Sequence, residues 1–328
     1  MYETLIIGCG NIAGGFDEGR EPDAPPFTHA GAYRQHPAFS VAACVEPDTQ
    51  RRAAFQSHWG VAEGAASVGA LGAAPGRFAV ISICSPTEWH AAQIDAALAL
   101  RPRLIFCEKP LSKSLAETEE LVRRCAAAGV LLAVNYTRRW DPRLVAFADE
   151  LRRGEWGALR SVSATYGKGI VHNGSHMIDL LALLLGELDL LSAGHPSFDF
   201  WPDDPSVPAL LGSREGVPVS LSINHSGDYA MFECTFVTGQ GTLTMLDGGR
   251  RWAERRVVAS RAFAGYRDLG DIEVREGGYD LAMRGAVANI ADTLARGRPL
   301  ASDGGNAVYA QRLCETIRDR ALARDPAE

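Results

Sequence analysis

ETLIIGCGNIAG, residues Glu3–Gly14, sets a short apolar run directly against a Gly8-x-Gly10-x-x-Ala13 turn. Thr4–Ile7 is almost wholly apolar, which predicts a strand covered on both faces of a parallel sheet. Gly8 permits the tight turn at its end, and Gly10 lets the backbone come close to a bound pyrophosphate. Ala13 is small enough for a following helix to pack on the strand. Free N–H groups at that helix's start, with its dipole, favour a phosphate. A turn of this kind also occurs in loops that bind nothing, so the rest of the chain has to carry the reading.

Four further strands are predicted downstream at Ser40–Val45, Phe78–Cys84, Leu104–Cys107 and Leu131–Asn135, each nearly continuous in apolar residues. Helical stretches lie between them at Pro47–Ser57, His90–Leu100 and Ser114–Ala128. The last opens with Ser114-x-x-Glu117, a capping-box pattern, and closes at Gly129. This β-α-β alternation predicts a doubly wound parallel sheet, a Rossmann domain spanning 1–136. Residues 15–29, GFDEGREPDAPPFTH, interrupt the expected first helix with Gly, Pro and charge. They read either as a loop inserted over the cofactor site or as a surface excursion without a role.

Beyond Asn135 the pattern changes to longer, alternating runs at 159–167, 217–224, 231–238 and 241–245, with a hairpin turn at Gly239-Gln240-Gly241. Helices are predicted at Ser175–Leu185, Leu281–Arg296 and Asn306–Ala323. The expectation for 137–328 is an α+β domain on one open-faced, mixed and mainly antiparallel sheet. Its last helix is free to pack back on the first domain.

At 328 residues the chain is long enough for two domains. Hydrophobic content of 46% and charged content of 22% are those of a globular protein. A net charge of −7 and the lack of a basic, aromatic-interleaved stripe argue against nucleic acid. The longest apolar run noted, Leu180–Leu185, is far short of the ~20 residues that span a bilayer, so no membrane partner is expected. Seven scattered cysteines, never spaced CxxC, predict reduced, core-packed thiols and a cytoplasmic protein.

Glu46 ends the second strand, where an acidic side chain accepts the adenosine ribose hydroxyls and repels a 2′-phosphate; this favours NAD over NADP. The gap from Gly10 exceeds the usual ~20 residues, and the 15–29 loop accounts for most of the excess. Arg51 and Arg52 follow and are within reach of a 2′-phosphate, which keeps NADP open.

Ser85-Pro86 with His90 follows the third of these strands, and Glu108-Lys109-Pro110 the fourth, both on the carboxyl edge where doubly wound sheets bind ligands. Further on come Asn135-Tyr136-x-Arg138-Arg139-x-x-Pro142, Gly154-x-x-Gly157 and Gly174-x-His176-x-x-Asp179. With the glycine turn, these six pieces in this order resemble the glucose–fructose oxidoreductase / inositol dehydrogenase / MocA (Gfo/Idh/MocA) family of nicotinamide-dependent oxidoreductases over nearly the whole chain. The resemblance implies a Rossmann domain, an α/β domain whose sheet mediates homodimers or homotetramers, and NAD or NADP as cofactor. It implies that Gly8, Gly10, Asn11, Ile12, Glu46, Ser85, Pro86, His90, Glu108 and Lys109 serve the cofactor. It also makes Lys109 and His176 the catalytic residues.

The chemistry suits those types. A neutral imidazole has a pKa near the working pH and suits removal of a hydroxyl proton as hydride leaves. An ammonium stabilises the developing alkoxide. The two roles are exchangeable between Lys109 and His176. Many sugar- and inositol-oxidising relatives carry an aspartate four residues before this histidine, where this chain has His172. His172 is therefore a candidate substrate contact, for a proton or an anionic group, and the substrate is expected to differ from those of the best-known members.

Tyr136, Arg139, Trp140, Lys168 and Asn173, with Tyr166, are further candidates for lining the substrate pocket. His172 and His176 stand i, i+4, but Gly174 and the missing HExxH glutamate argue against a metal, and none is expected. Asp179 reads as a helix-orienting residue. The expected activity is interconversion of a secondary alcohol and a ketone on a carbohydrate, cyclitol or sugar nucleotide. The alternatives are reduction of an imine or non-sugar carbonyl, or a non-catalytic dinucleotide-binding sensor.

Overall fold

The computed structural model describes residues 1–323. In chain order the first elements are β1 (Tyr2–Ile7), α1 (His29–Arg34), β2 (Phe39–Val45), α2 (Thr49–Trp59), β3 (Glu63–Ala65) and α3 (Val68–Leu71). They continue with β4 (Val80–Ile83), α4 (His90–Ala99), β5 (Leu104–Cys107), α5 (Leu115–Ala127) and β6 (Leu131–Val134). Then come α6 (Pro142–Arg152), β7 (Leu159–Tyr166), α7 (Ser175–Leu185), β8 (Leu188–Ala193), β9 (Ala209–Ser213) and β10 (Pro218–Ile223). The chain goes on through β11 (Glu233–Thr238), β12 (Gly241–Leu246), β13 (Arg251–Ala259), β14 (Arg267–Leu269) and β15 (Glu273–Glu276), and reaches α8 (Ala282–Arg296) and α9 (Gly304–Leu322).

Two compact units result: Met1–Trp140 with Asp280–Val308, and Asp141–Tyr279 with the chain from Tyr309 on. A single cut at 136/137 therefore misplaces Asp280–Val308. The reason lies in α8, whose Met283, Ala286, Val287, Ile290 and Leu294 are buried in one cluster with Ile6, Phe106 and Trp140. That apolar stripe needs a core to cover it.

The first unit is a wholly parallel sheet in the order β3-β2-β1-β4-β5-β6, the doubly wound arrangement. Strands β4 and β5 are buried at every position, which explains their unbroken apolar runs. Strand β3 escapes sequence reading because its three residues sit at the sheet edge and carry no apolar signal. Ser114 caps α5 by accepting from the Glu117 N–H, but the Ser114 N–H is bonded by Ser112 Oγ.

The helix expected directly after the glycine turn is split. Asn11–Gly14 forms turns, Gly15–Asp17 a single 3₁₀ turn, and α-helix begins only at α1. The His29 N–H donates to Ile12 O at 3.2 Å and the Ala30 N–H to Ala13 O at 2.9 Å, so residues 14–28 leave and rejoin one helical path. Asp17 fastens this excursion internally, accepting from the Phe27 and Thr28 N–H groups and from Thr28 Oγ1 at 2.6 Å.

In the second unit the sheet runs β14-β13-β12-β11-β7-β10-β9-β8, with β15 also on β13. Only β7 and β10 pair in parallel; the remaining pairs are antiparallel. Among the described residues no helix is long and apolar enough to cross a membrane. All seven cysteines are buried and free.

Candidate active site

Strands β1 and β4 are neighbours from which the order runs outward in both directions, and the crevice at such a reversal is where doubly wound sheets take ligands. Gly8 stands there at φ +88°, and a Cβ on it would lie 2.8 Å from Ser85 N. The two strand ends are thus in backbone contact, which only glycine allows. By contrast, a Cβ on Gly10 would meet nothing within 4 Å. The space before Gly10 is the room a pyrophosphate needs, so the turn fits the dinucleotide implied by the sequence. Asn11 and Pro86 are exposed and Ile12 and Ser85 half-buried along the same edge.

Glu46 is buried at the end of β2. Its Oε2 accepts from the Cys9 N–H at 3.0 Å, its Oε1 from the Asp48 N–H at 3.1 Å, and Arg51 Nη1 lies 3.5 Å from Oε1. The carboxylate therefore braces the glycine turn and still has lone pairs for a ribose hydroxyl. Arg52 turns back to donate to Glu46 O.

His90 is placed differently from its expected role. It is fully buried, with Nε2 2.9 Å from Ser85 O and Nδ1 3.0 Å from Pro110 O. Burial holds it below the usual imidazole range, and a neutral ring donates to one carbonyl at a time. It ties the two loops that follow β4 and β5 rather than facing a cofactor.

Glu108 and Lys109 follow β5 at once. Glu108 Oε1 accepts from His29 Nε2 at 2.8 Å and from Asn135 Nδ2 at 2.6 Å. His29 Nδ1 is 3.1 Å from Ser82 Oγ, which lies 2.8 Å from the Tyr33 hydroxyl. One assignment satisfies every group: Tyr33 donates to Ser82, Ser82 to Nδ1, and the Nε2 proton goes to Glu108. Burial works to raise the Glu108 carboxyl, yet His29, Asn135 and Lys109 outweigh it and hold the group below its ordinary value. Sequence reading missed His29 because it lies at the far end of the excursion. The available signal was the polar residue opening a short helix after Thr28, which caps α1 through the Gly31 N–H.

Two substrate candidates prove to be core. Tyr136 and Trp140 are buried, and the Trp140 indole donates to Asn289 Oδ1 at 3.0 Å while its ring meets Phe106 edge-on. Packing claimed them because α8 closes over this segment. Arg139 is half-buried and donates to Ala301 O at 3.3 Å.

In the second unit the chain from Ile170 to Gly174 makes a π-helical turn that runs into α7. The Gly174 N–H reaches Gly169 O at 2.9 Å, and a Cβ on Gly174 would lie 2.8 Å from the Tyr166 ring. Tyr166 is itself buried, accepting from the Val207 N–H and donating to Val207 O, so it supports the turn. Such π turns concentrate at functional sites. This one carries His172 and Asn173, and His176 enters the first turn of α7; all three are half-buried. Asp179 is buried one turn later.

Asp204 accepts from the Val171 N–H at 3.0 Å and the His172 N–H at 2.7 Å, and burial pushes its carboxyl above the usual range despite them. Asn173 Nδ2 donates to Gly167 O at 2.8 Å. Lys168, at φ +65°, sets its ammonium 5.3 Å from the Phe200 ring centre. Among the described residues no group of three or more His, Cys, Asp or Glu is placed to hold a metal ion.

Known proteins share this fold. Residues 3–136 match the family model described as an oxidoreductase family with an NAD-binding Rossmann fold, GFO/IDH/MocA. An uncharacterised oxidoreductase of Bacillus subtilis is 43% identical over 85 residues, 26% of this chain and 25% of that protein. The D-apiose dehydrogenase of Paraburkholderia graminis is 24% identical over 270 residues, 75% of this chain. The match spans 65% of that dehydrogenase's length, a little under two thirds. A solved oxidoreductase from Agrobacterium radiobacter, in complex with NAD+, L-tartaric acid and magnesium, superposes with a TM-score of 0.77 at 18% identity. That superposition covers 98% of this chain and 96% of the other, and so shares the fold of both units. Through residues 3–136, which match its NAD-binding Rossmann fold, the chain resembles the Gfo/Idh/MocA oxidoreductase family.

Proposed function

We propose that this protein is an NAD(P)-dependent oxidoreductase that interconverts a secondary alcohol and a ketone on a carbohydrate, cyclitol or sugar nucleotide. The observation that carries the reading is the position of Lys109. It leaves β5 on the carboxyl edge of the sheet that holds the glycine turn, directly after a largely buried carboxylate fixed by two side chains. A module that only binds a dinucleotide needs no such ammonium. The sugar dehydrogenase among the relatives supports the substrate class.

When bound, the nicotinamide supplies or accepts the hydride. Gly8, Gly10, Asn11, Ile12, Ser85 and Pro86 would hold the dinucleotide, and Glu46 would face the adenosine ribose. Lys109 donates a hydrogen bond to the substrate oxygen that gains charge. His176 acts as acid/base toward the hydroxyl. The Glu108 carboxylate keeps the neighbouring ammonium electrostatically favoured, and His29 and Asn135 hold that carboxylate in place. Glu46 disfavours a 2′-phosphate, so NAD is the preferred cofactor.

The test is a panel of sugars, inositols and nucleotide sugars, followed by nicotinamide absorbance with NAD and NADP in parallel. Lys109→Met is expected to lower kcat by about 10²–10³-fold, with NADH affinity within about threefold. Activity that survives Lys109→Met, or falls together with cofactor affinity, overturns the role of Lys109. A strong preference for NADP overturns that of Glu46.

A further inference from the structure

The segment from His195 to Val207 joins β8 to β9. It carries Phe198, Phe200 and Trp201, exposed by 57%, 54% and 37%. Contiguous exposed aromatics mark binding surfaces more often than single ones do. Phe200 and Trp201 meet edge to face, with ring centres 4.9 Å apart at 75°. Trp201 also stands 5.0 Å from the His172 ring.

These rings rest on a fixed base. Asp199 accepts from Ser206 Oγ at 2.8 Å and from the Ser226 N–H at 3.0 Å, and its own carbonyl takes the Ser226 hydroxyl. Ser197 and Ser206 exchange both backbone bonds at 2.8 Å, and Ile170 N–H donates to Pro205 O at 2.9 Å. Asp204 holds the N–H groups of Val171 and His172. The loop is thus bonded to the π turn through Asp204 and Pro205 and to Ser226 through Asp199, while its large apolar faces stay in water. Exposed rings carried on a backbone fixed in this way are preorganised to bind.

Charge narrows what it takes. Asp199, Asp203 and Asp204 lie on this loop. Against them stand Lys168 over Phe200, and Arg318, whose field acts on Asp204. Carboxylates outnumber cations, so a phosphate or carboxylate ligand meets net repulsion here. The apolar C–H face of a neutral ring stacks on an aromatic face without that penalty, and its hydroxyls find His172, Asn173 and Lys168 nearby.

We propose that Phe200 and Trp201 form the stacking platform for the ring of a neutral polyol, a sugar or cyclitol rather than a phosphorylated or nucleotide-linked one. This rests on the oxidoreductase reading given above and narrows its substrate class.

The experiment uses the full chain with saturating cofactor and compares neutral pentoses, hexoses and inositols with D-glucose 6-phosphate and UDP-glucose. Trp201→Ala is expected to raise KM for the neutral substrate about tenfold or more, with kcat and NADH affinity within about threefold. Trp201→Phe restores most of the loss, and circular dichroism of each variant controls for folding. An unchanged KM in Trp201→Ala, or a lower KM for the phosphorylated or nucleotide-linked compound, overturns the platform. If no compound is turned over, the oxidoreductase reading fails separately, and calorimetric binding of the same neutral polyols decides the platform: binding that Trp201→Ala abolishes sustains it, and no binding overturns it.

Discussion

The polar cluster around Glu108 in the first unit and that around Asp204 in the second are built in opposite ways. In the first, side chains satisfy side chains: Tyr33, Ser82, His29, Glu108 and Asn135 form one buried chain across the ends of neighbouring strands. In the second, side chains satisfy backbone: Asp199 and Asp204, from a loop some thirty residues downstream, bond the N–H groups of Lys168, Val171 and His172. The first arrangement sits on a rigid parallel sheet and demands little of the backbone beyond glycine at the turn. The second holds a π turn, a conformation with poor hydrogen bonds of its own. A site can therefore be made precise either by a stiff frame or by borrowed acceptors.

The largest effect is expected where the stiff frame leaves no space. Gly8→Ala places a methyl 2.8 Å from Ser85 N at φ +88°. The cost is about 3 kcal/mol of unfolding free energy, measurable by urea denaturation, with dinucleotide affinity falling as the turn shifts. A loss under about 0.5 kcal/mol breaks the claim that β1 and β4 touch here.

Next comes the borrowed acceptor. Asp204→Ala strands two buried N–H donors and is expected to cost about 1–3 kcal/mol. Because the loss falls on the π turn, it should raise substrate KM while leaving NADH affinity unchanged. If NADH affinity fell instead, the independence of the two arrangements would be lost.

The smallest effect separates charge from geometry. Glu108 has its carboxyl held below its ordinary value by His29, Asn135 and Lys109 against its burial. A depressed carboxyl contributes stability that is present above its unfolded pKa and is lost as pH falls through the folded one. Wild-type stability should thus decline from about pH 4.3 downward, and Glu108→Gln should flatten that part of the curve. Denaturation midpoints across the acid range measure it. An unaltered slope means that the network holds Glu108 by shape alone.

How much of this was legible varies by residue. The strand at Leu104–Cys107 agrees with its sequence reading at both ends, since a strand buried on both faces has no polar residue to blur it. Helix α7 agrees as well, because Leu185 meets Gly186 and the apolar stripe stops there. Strands β8, β9 and β13 were missed. Their alternation is broken by Ser, Gly and Arg on faces whose exposure depends on neighbours far along the chain. In the first unit, the position of Glu108 and Lys109 was readable because they follow a strand immediately. His29 was not, because its partners lie 53 and 79 residues away.

By itself the sequence determined the parallel sheet and the glycine turn. Each of these rests on local pattern, a run of apolar residues or a glycine where φ must be positive. Only the tertiary structure decided that His90 is a strut, that Trp140 is core, and that the 14–28 excursion rejoins its own helix. It also decided that Asp204 serves the backbone of His172. These are pairings between distant residues, and a side chain's partner is set by which surfaces the fold closes together rather than by its neighbours in the chain.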